Sequence, residues 1–461
     1  MIIKRSLICI FFISSMLGCS HSNKASLDEV KVAHSFILQG HTDLANKWWQ
    51  SFNNKELNLL VEQALGENID LKAHQLRKKA SELGISIAHS SQLPSLSFTS
   101  GANANSDELS KINTAYLGLS ASWELDLWGQ FEAAEDKAFW QHQEVAALTD
   151  SRAIFVAGNT VNSWLSALSE YEKQQVLTKQ HQRTNAALKV ISRRFALGKN
   201  SVTNIWQQEK LLKSIEVKQN KNKAALYLAK QRLALWLGES DETKIDILSS
   251  QIPTLPPLPE LGIPLEKLQK RPDIRQALAK IKAANESVTI AIAEQFPRLT
   301  LRANYNTNKN SVADLFDDWS GNLIAALVVP IFDNQKKSNV VKQKQLQLQA
   351  LIFEYQQVWL EAIASVNKAL VNEQQLAAVV KNVKHQVYLA KKTEQLTTIK
   401  YLHSKAGFIN LLNAQEDILA LELQLIEANK LLLLNRTLLY RELSHGDFIP
   451  LENNQLIVKE H

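Results

Sequence analysis

The chain contains one very long stretch without proline or glycine. Between Pro330 and Gly407 lie 76 consecutive residues that include neither type. Proline and glycine are the residues that most readily interrupt a helix, and a helix of this length would reach roughly 110 Å at about 1.5 Å per residue. A compact globular domain does not need such an element. We therefore predict a mainly α fold of very long helices, packed as a coiled coil or a tube.

The N-terminus is typical of a bacterial export signal. A basic pair, Lys4-Arg5, precedes an apolar run over residues 6–17, which is too short to span a membrane as a helix. The run leads into Gly18-Cys19, which resembles a lipobox, where the cysteine thiol receives a diacylglycerol and the signal is removed before it. Met16-Leu17 departs from the usual lipobox residues, so an ordinary secretory signal with an incidental cysteine stays the alternative. We expect lipid attachment at Cys19.

Charge and motif content argue against other classes of function. The net charge is +6, but both signs are mixed along the chain, and pairs such as Lys336-Lys337 lie among glutamines in helical sequence. Solvated helix faces explain such pairs better than nucleic-acid binding does. No hydrolase, zinc-protease, phosphate-loop or dinucleotide motif occurs, and the 11 histidines lack ligand-like spacing. We expect no enzyme activity, no nucleic-acid partner, no metal site, and no cofactor besides the lipid on Cys19.

The two halves of the chain repeat each other at an offset of 203 to 206 residues. Three pairs of short segments correspond: Leu93–Leu96 with Phe296–Leu299, Gly129-Gln130 with Asn334-Gln335, and Phe195–Lys199 with Tyr401–Lys405. Each half contains the pattern of a helix, a strand, a loop, a strand, a long helix, a tight turn and a helix. The chain is therefore predicted to be internally duplicated.

Each half contains two short segments of alternating polarity. In the clearest, residues 117–125, leucine, alanine and tryptophan alternate with glycine, serine and glutamate, whereas residues 323–331 alternate poorly. Segments that are apolar on one side and small and polar on the other are typical of membrane β-barrel strands. Two half-buried hairpins of a soluble protein would show the same period, so that alternative stays open. Glu124 and Asp126 are interpreted as a charge at a strand end and a helix N-cap rather than as a catalytic pair.

Four strands are too few to close a barrel, for which about eight is the practical minimum. An open sheet in lipid would leave backbone groups unpaired at its edges, so the chain is expected to oligomerise. The helices carry a matching signal, because five apolar residues recur every seven positions after Gly407: Leu411, Ile418, Leu425, Leu432 and Leu439. Sustained heptads predict helix partners along the whole length.

These features together resemble the outer-membrane efflux channel family typified by TolC and OprM, in its lipoprotein (NodT-type) branch. The resemblance runs from about Trp48-Trp49 to Gly446, and its most specific piece is Lys270–Ile274, followed by an alanine-rich helix. Pro272 suits the first position of that helix, and Asp273 suits its positive first turn. The resemblance implies a TolC-like homotrimer, in which a 12-stranded outer-membrane β-barrel is continuous with a long periplasmic α-helical barrel.

The same resemblance implies a function and partners. The chain would be the exit duct of a tripartite efflux pump, passively conducting substrates from an inner-membrane transporter of the RND type and a periplasmic adaptor (membrane fusion protein) to the outside. It would be inserted in the outer membrane as a barrel, anchored by lipid and extended into the periplasm. The alternatives are the outer-membrane component of a type I protein secretion system, and a structural periplasmic coiled-coil lipoprotein. The lipobox and Arg271–Ile274 favour efflux over secretion, and the membrane-type strands oppose the structural role.

The resemblance also implies candidate functional residues at the periplasmic end. The gate maps onto Asn204, Ile409, Asn410 and Asn413. Family members commonly have aspartate at some of these positions, whereas asparagine carries no charge with which to trap cations. The alternative is that these asparagines only cap the helices that follow the turns. The turns themselves are expected to dock the adaptor, through Gly198, Lys199, Ser404, Lys405 and Gly407.

The predicted boundaries complete the sequence-based description. The segments outside the repeats are a signal peptide (1–18), a lipidated N-terminal segment (19–47), a proline-rich linker (251–264) and a C-terminal tail (447–461). The first repeat (48–250) is expected to hold strands over about 94–104 and 114–125, a long helix over 129–196, a tip turn over 197–201 and a helix over 202–238. The second (265–446) is expected to hold strands over about 297–307 and 321–331, a long helix over 333–402, a tip turn over 403–407 and a helix over 408–443.

Overall fold

The computed structural model describes residues 36, 46–103, 114–241, 252–259 and 268–446. After a short 3-10 turn at Trp48–Phe52, these residues form the following helices and strands: α1 Lys55–Glu67, α2 Ile69–Ser90, β1 Ser95–Asn103, β2 Thr114–Leu125, α3 Gln130–Ala196, α4 Val202–Trp236, α5 Pro272–Ala293, β3 Arg298–Lys309, β4 Ser320–Val328, α6 Lys336–Leu402 and α7 Phe408–Leu443. The described chain is thus mainly helical with a small β part. The predicted signal peptide, Cys19 and the C-terminal tail lie outside the described residues.

The chain divides into two compact units. The first, here called the sheet unit, comprises the described residues of Arg77–Ala146 and Gln276–Gln357 and includes all four strands. The second, here called the turn unit, comprises the described residues of Lys31–Leu76, Ala147–Arg275 and Val358–His461. It includes the connections that follow α3 and α6, and the described part of the proline-rich linker.

The two longest helices, α3 and α6, have 67 residues each, which corresponds to about 100 Å. Helix α3 is preceded by Asp126, whose carboxylate accepts hydrogen bonds from three backbone N–H groups of the first turn, those of Gln130, Phe131 and Glu132, at 2.7, 2.9 and 3.0 Å. These N–H groups have no partner within the helix, and a negative charge is favourable at this end. Asp126 therefore acts as a helix cap, as the sequence predicts.

Helix α6 begins at Lys336, three residues after the predicted start. Asn334 and Gln335 have φ angles of 55° and 64°, so the backbone there is left-handed and cannot continue a right-handed helix. Asp333 precedes this pair, and its carboxylate accepts the N–H of Lys337 at 3.0 Å. The start of α6 is therefore set by a left-handed pair and a carboxylate cap.

The four strands form one antiparallel sheet in the order β1-β2-β3-β4. The strand β4 ends at Val328 rather than at 331, because Pro330 lacks the N–H group that a sheet ladder needs. The outer strands β1 and β4 each have one neighbour in this sheet, so each presents one edge without a strand partner in the described chain. Large apolar residues of the sheet are exposed, and the Leu96 side chain is 74% accessible. Within the residues that the structure describes, the apolar side of the sheet is therefore largely uncovered.

The core of the turn unit is built around aromatic side chains that come from near the two ends of the described chain. Trp48, Trp49 and Tyr440 are fully buried, and the ring of Trp48 lies 5.8 Å from each of the other two. They pack with buried residues of α1, α3 and α4, among them Leu57, Trp164 and Leu233. This cluster attaches the short 3-10 turn at Trp48–Phe52 to the last helix.

A buried ion pair holds the described part of the proline-rich linker. The Arg436 guanidinium on α7 is 1% exposed and donates two hydrogen bonds to the Glu373 carboxylate on α6. It also donates to the backbone carbonyls of Pro256 and Pro257. Burial opposes its charge, but the Glu373 carboxylate more than compensates and raises the pKa of Arg436. One side chain thus connects the linker to two helices.

Among the described helices, none has a segment both long and apolar enough to span a lipid bilayer.

Candidate functional site

The connection between α3 and α4 is a tight turn built on a left-handed glycine. Gly198 has a φ of +69°, its N–H donates to the Phe195 carbonyl at 2.8 Å, and the Lys199 N–H donates to the Arg194 carbonyl at 2.8 Å. These two bonds form a Schellman motif, which ends a helix by satisfying its last carbonyls. The Ser201 hydroxyl then accepts the Thr203 N–H at 3.2 Å and caps α4. The chain reverses direction within five residues, 197–201.

The connection between α6 and α7 has the same geometry with a different residue. Ser404 takes the left-handed place with a φ of 57°, and its N–H donates to the Tyr401 carbonyl at 3.0 Å. The Lys405 N–H donates to the Lys400 carbonyl at 2.7 Å, and Gly407 is the N-terminal boundary of α7. A non-glycine residue is strained in this conformation, so Ser404 needs support from its surroundings.

That support comes from the first turn. Arg194, at the end of α3, donates to the Leu402 carbonyl and to the Ser404 hydroxyl, both at 3.2 Å, and its guanidinium lies over the Tyr401 ring. Asn200 and the Tyr401 hydroxyl hydrogen-bond at 2.8 Å. Three side chains therefore join the two turns into one structure.

An apolar cluster packs the helices next to the turns. It includes Tyr401 on α6 and Phe408 on α7, whose rings are 5.9 Å apart. Helices α3, α4 and α7 contribute further buried residues, namely Leu177 and Ile191 on α3, Leu211 and Ile215 on α4, and Leu411, Leu412 and Leu419, which follow Phe408 on α7. The buried Gln208 amide donates to the Thr184 carbonyl and to Gln415 at 3.3 Å. The helices on either side of the turns are thereby held in register by both apolar and polar contacts.

Of the four sequence-predicted gate residues, Asn204 lies in the first turn of α4, and Ile409, Asn410 and Asn413 lie in the first two turns of α7. Asn204 is half-buried, whereas Ile409, Asn410 and Asn413 are exposed on one side of α7. The caps of the two helices are Ser201 and Gly407, so the alternative that the asparagines serve as N-caps is wrong. The exposed face of α7 is thus open to contact with something other than this chain's own core.

The predicted docking residues lie in the two turns or at their ends. Gly198, Lys199, Ser404, Lys405 and Gly407 are all exposed. The two lysines place positive charge on both turns.

Further along the helices, the Lys213 ammonium hydrogen-bonds to Glu216 at 3.0 Å and, with His181, lowers the pKa of that carboxyl. Within the described residues, no group of three histidine, cysteine or acidic side chains is placed to hold a metal ion.

Sequence reasoning missed the residues that link the turns, Arg194, Asn200 and Tyr401. Their contacts join positions more than 200 residues apart, which no local pattern reveals. The repeat offset carried a partial signal, because it pairs Phe195 of the first turn with Tyr401 of the second. The added hydroxyl of Tyr401 is the group that bonds to Asn200.

Comparison with known proteins identifies the family. The family model described as outer membrane efflux protein matches residues 60–239 and 263–444. The chain belongs to the outer membrane efflux protein family. The two matched segments of this efflux protein are separated by residues 240–262, which include most of the proline-rich linker.

Individual relatives of this outer membrane efflux protein span most of its length. The pyoverdine export outer membrane protein OpmQ of Pseudomonas aeruginosa is 29% identical over 379 residues, which cover 77% of this chain and 79% of the relative. The cation efflux system protein CusC of Escherichia coli K12 is 22% identical over 453 residues, covering 94% and 97%. This efflux protein is an outer-membrane protein.

Solved structures share its fold. The crystal structure of CusC superposes with a TM-score of 0.81 at 20% identity, covering 92% of this chain and 100% of that one. The outer-membrane channel OprN superposes with a TM-score of 0.81 at 19% identity, covering 94% and 100%. The helical fold with a small sheet in this efflux protein is therefore that of known outer-membrane channels.

Proposed function

We propose that this outer-membrane efflux protein is the exit duct of a tripartite pump and works as a homotrimer. The observation that carries the proposal is the four-stranded sheet with exposed apolar residues and an unpartnered edge at each outer strand. In lipid, backbone groups at such edges must be paired, and only a closed barrel pairs them all. Three copies of the sheet supply twelve strands, which is enough for a barrel with a water-filled interior.

The helices supply a second argument for association. Leu346, Phe353 and Leu360 follow one another at seven-residue spacing on α6, and their side chains are 66%, 69% and 55% exposed. A heptad of large apolar residues normally packs against another helix. Copies of the same chain would cover these side chains and extend the barrel into a helical tunnel through the periplasm.

The joined turns form the periplasmic end of the proposed duct. Lys199, Ser404, Lys405 and their neighbours are exposed there, and we assign them to contact with a periplasmic adaptor and, through it, an RND-type inner-membrane pump. Ile409, Asn410 and Asn413 on the exposed face of α7, with Asn204, form the proposed gate. Amide groups can bridge neighbouring chains by hydrogen bonds, and Ile409 supplies an apolar ring.

The cargo differs among relatives. One relative is named for pyoverdine export and another for cation efflux, so a shared fold accompanies different substrates. We therefore assign substrate choice to the pump and the adaptor. These relatives favour efflux over type I protein secretion.

Lipid anchoring is part of the proposal and is carried by the lipobox-like segment before Cys19. A diacylglycerol on this thiol would retain the N-terminus at the membrane independently of the strands. Cys19→Ser should abolish incorporation of labelled palmitate. An unmodified Cys19 in the mature wild-type protein, seen by mass spectrometry, would contradict the anchor.

Native mass spectrometry and planar-bilayer recording test the duct. We expect a trimer with discrete conductance, and a lone protomer that conducts would refute the trimer. Asn410→Asp combined with Asn413→Asp should raise cation selectivity and sensitivity to divalent cations, because carboxylates focus a negative potential at a constriction. The matched control is Asn220→Asp, an exposed asparagine farther along α4. Equal block of the double variant and the wild type would exclude these residues from the gate.

A further inference from the structure

The two faces of the four-stranded sheet differ in chemistry. The strand register aligns one residue of each strand in rows across the sheet, for example Leu96, Ala121, Ala303 and Leu323. The next row is Ser97, Ser120, Asn304 and Asn322. Because side chains alternate between faces along a strand, these rows lie on opposite faces. In a membrane barrel the apolar face contacts lipid and the polar face contacts water.

Most of the polar face is uncharged. The Ser120 hydroxyl donates to the Asn304 side-chain oxygen at 2.8 Å, and the Asn304 amide donates to the Asn322 side-chain oxygen at 2.9 Å. On the described strands, the charged residues of this face are Arg298, Arg302 and Glu124. The face therefore carries a net charge of +1 in each chain.

The register places these charges close together near the helical ends of the strands. Arg302 is directly opposite Ser122, and Glu124 is opposite Thr300, between the two arginines. Directly opposite residues have Cβ atoms about 5 Å apart. In a closed barrel of several copies, Arg302 would recur as a ring, and rings of arginine or lysine are how anion-selective pores are built.

We propose that Arg302 gives the outer-membrane end of the duct a preference for anionic over cationic solutes. The proposal rests on the proposed function, since it requires the polar face to line the water-filled path. Glu124 opposes Arg302 and reduces the preference. The row on the other side of Arg302, which consists of Ser97, Ser120, Asn304 and Asn322, is neutral and adds no competing charge.

Reaction of an engineered thiol with charged reagents measures the potential beside Arg302. Ser122→Cys places a thiol opposite Arg302, and the full-length protein in lipid vesicles is treated with 2-sulfonatoethyl or 2-(trimethylammonium)ethyl methanethiosulfonate. Peptide mass spectrometry separates this thiol from Cys19. The readout is the ratio of the anionic to the cationic reaction rate, because a changed thiol pKa affects both rates alike.

Adding Arg302→Gln should lower the rate of the anionic reagent and raise the rate of the cationic reagent, each by roughly two- to three-fold, as expected for the loss of one positive charge about 7 Å away in water. Adding Glu124→Gln should raise the ratio. Ala303→Cys, adjacent in sequence but on the apolar face, is the matched control and should stay unreactive in lipid. A ratio that does not change with Arg302→Gln overturns the proposal while leaving the duct intact. A Ser122→Cys thiol that reacts with neither reagent overturns the duct as well.

Discussion

Arg436→Met tests how the buried ion pair stabilises the turn unit. The variant would leave the Glu373 carboxylate buried without its partner, and the carbonyls of Pro256 and Pro257 without their donor. Removing one member of a buried pair costs about 3 to 5 kcal/mol. At about 2 °C per kcal/mol for a unit of this size, the melting temperature should fall by about 6 to 10 °C.

The measurement is thermal melting of the purified protein in detergent, followed by circular dichroism, together with limited proteolysis. We expect the variant to be cleaved within residues 252–259 below its melting temperature, because the linker has lost its attachment. Arg441→Met is the matched control. Burial lowers the pKa of Arg441, so its loss relieves a desolvation penalty instead of stranding a carboxylate, and the cost should be much smaller.

A double variant separates the pair from the packing. Arg436→Met with Glu373→Leu should melt above Arg436→Met alone, since no unpaired charge remains in the core. If Arg436→Met melts within about 2 °C of the wild type, the pair does not stabilise the unit as argued.

Three other substitutions in the same unit give further predictions. Gly198→Ala should lower the stability of the protein by about 1 kcal/mol, because alanine is strained at a φ of +69°. Ser404→Gly should change the stability by less than about 1 kcal/mol, because it relieves backbone strain but loses the hydrogen bond from Arg194. A melting temperature of Gly198→Ala equal to that of the wild type would contradict the role of the left-handed glycine. Burial raises the pKa of Glu172, although the carboxylate accepts a hydrogen bond from the Ile252 N–H at 2.6 Å. The stability that Glu172 contributes is therefore present below its usual pKa and is lost as the pH rises through the raised pKa. The melting temperature of Glu172→Gln should therefore rise relative to that of the wild type as the pH increases from the usual glutamate pKa through the raised one, and a pH-independent difference would refute the argument.

The features predicted correctly from the sequence are those with a local signal. The family and its outer-membrane efflux role followed from the duplicated layout and Lys270–Ile274, and the mainly helical fold followed from the long stretch without proline or glycine. Strand β4 was harder, because Ile324, Ala326 and Val328 fall on the same face as Ser320 and Asn322 and break the alternation. The trimer, the barrel and the gate stay predictions.

The residues missed by sequence reasoning make contacts that depend on distant partners. Arg436 and Glu373 are 63 positions apart on different helices, and each looks like an ordinary polar residue of an amphipathic helix. Ser404 replaces the glycine of the first turn without a local compensation, since its support comes from Arg194. Such pairs become visible only when the helices are placed side by side.

In the proposed duct, the hydrogen-bonded row of Ser120, Asn304 and Asn322 has a consequence for the transit of solutes. Hydroxyl and amide groups that bond to one another have fewer free donors and acceptors to offer a passing molecule. A wall of this kind stays wettable while holding solutes only weakly. Because the polar groups of this row are already hydrogen-bonded to one another, they should bind a passing solute only briefly. Solutes of varied chemistry should therefore move along this wall without being retained.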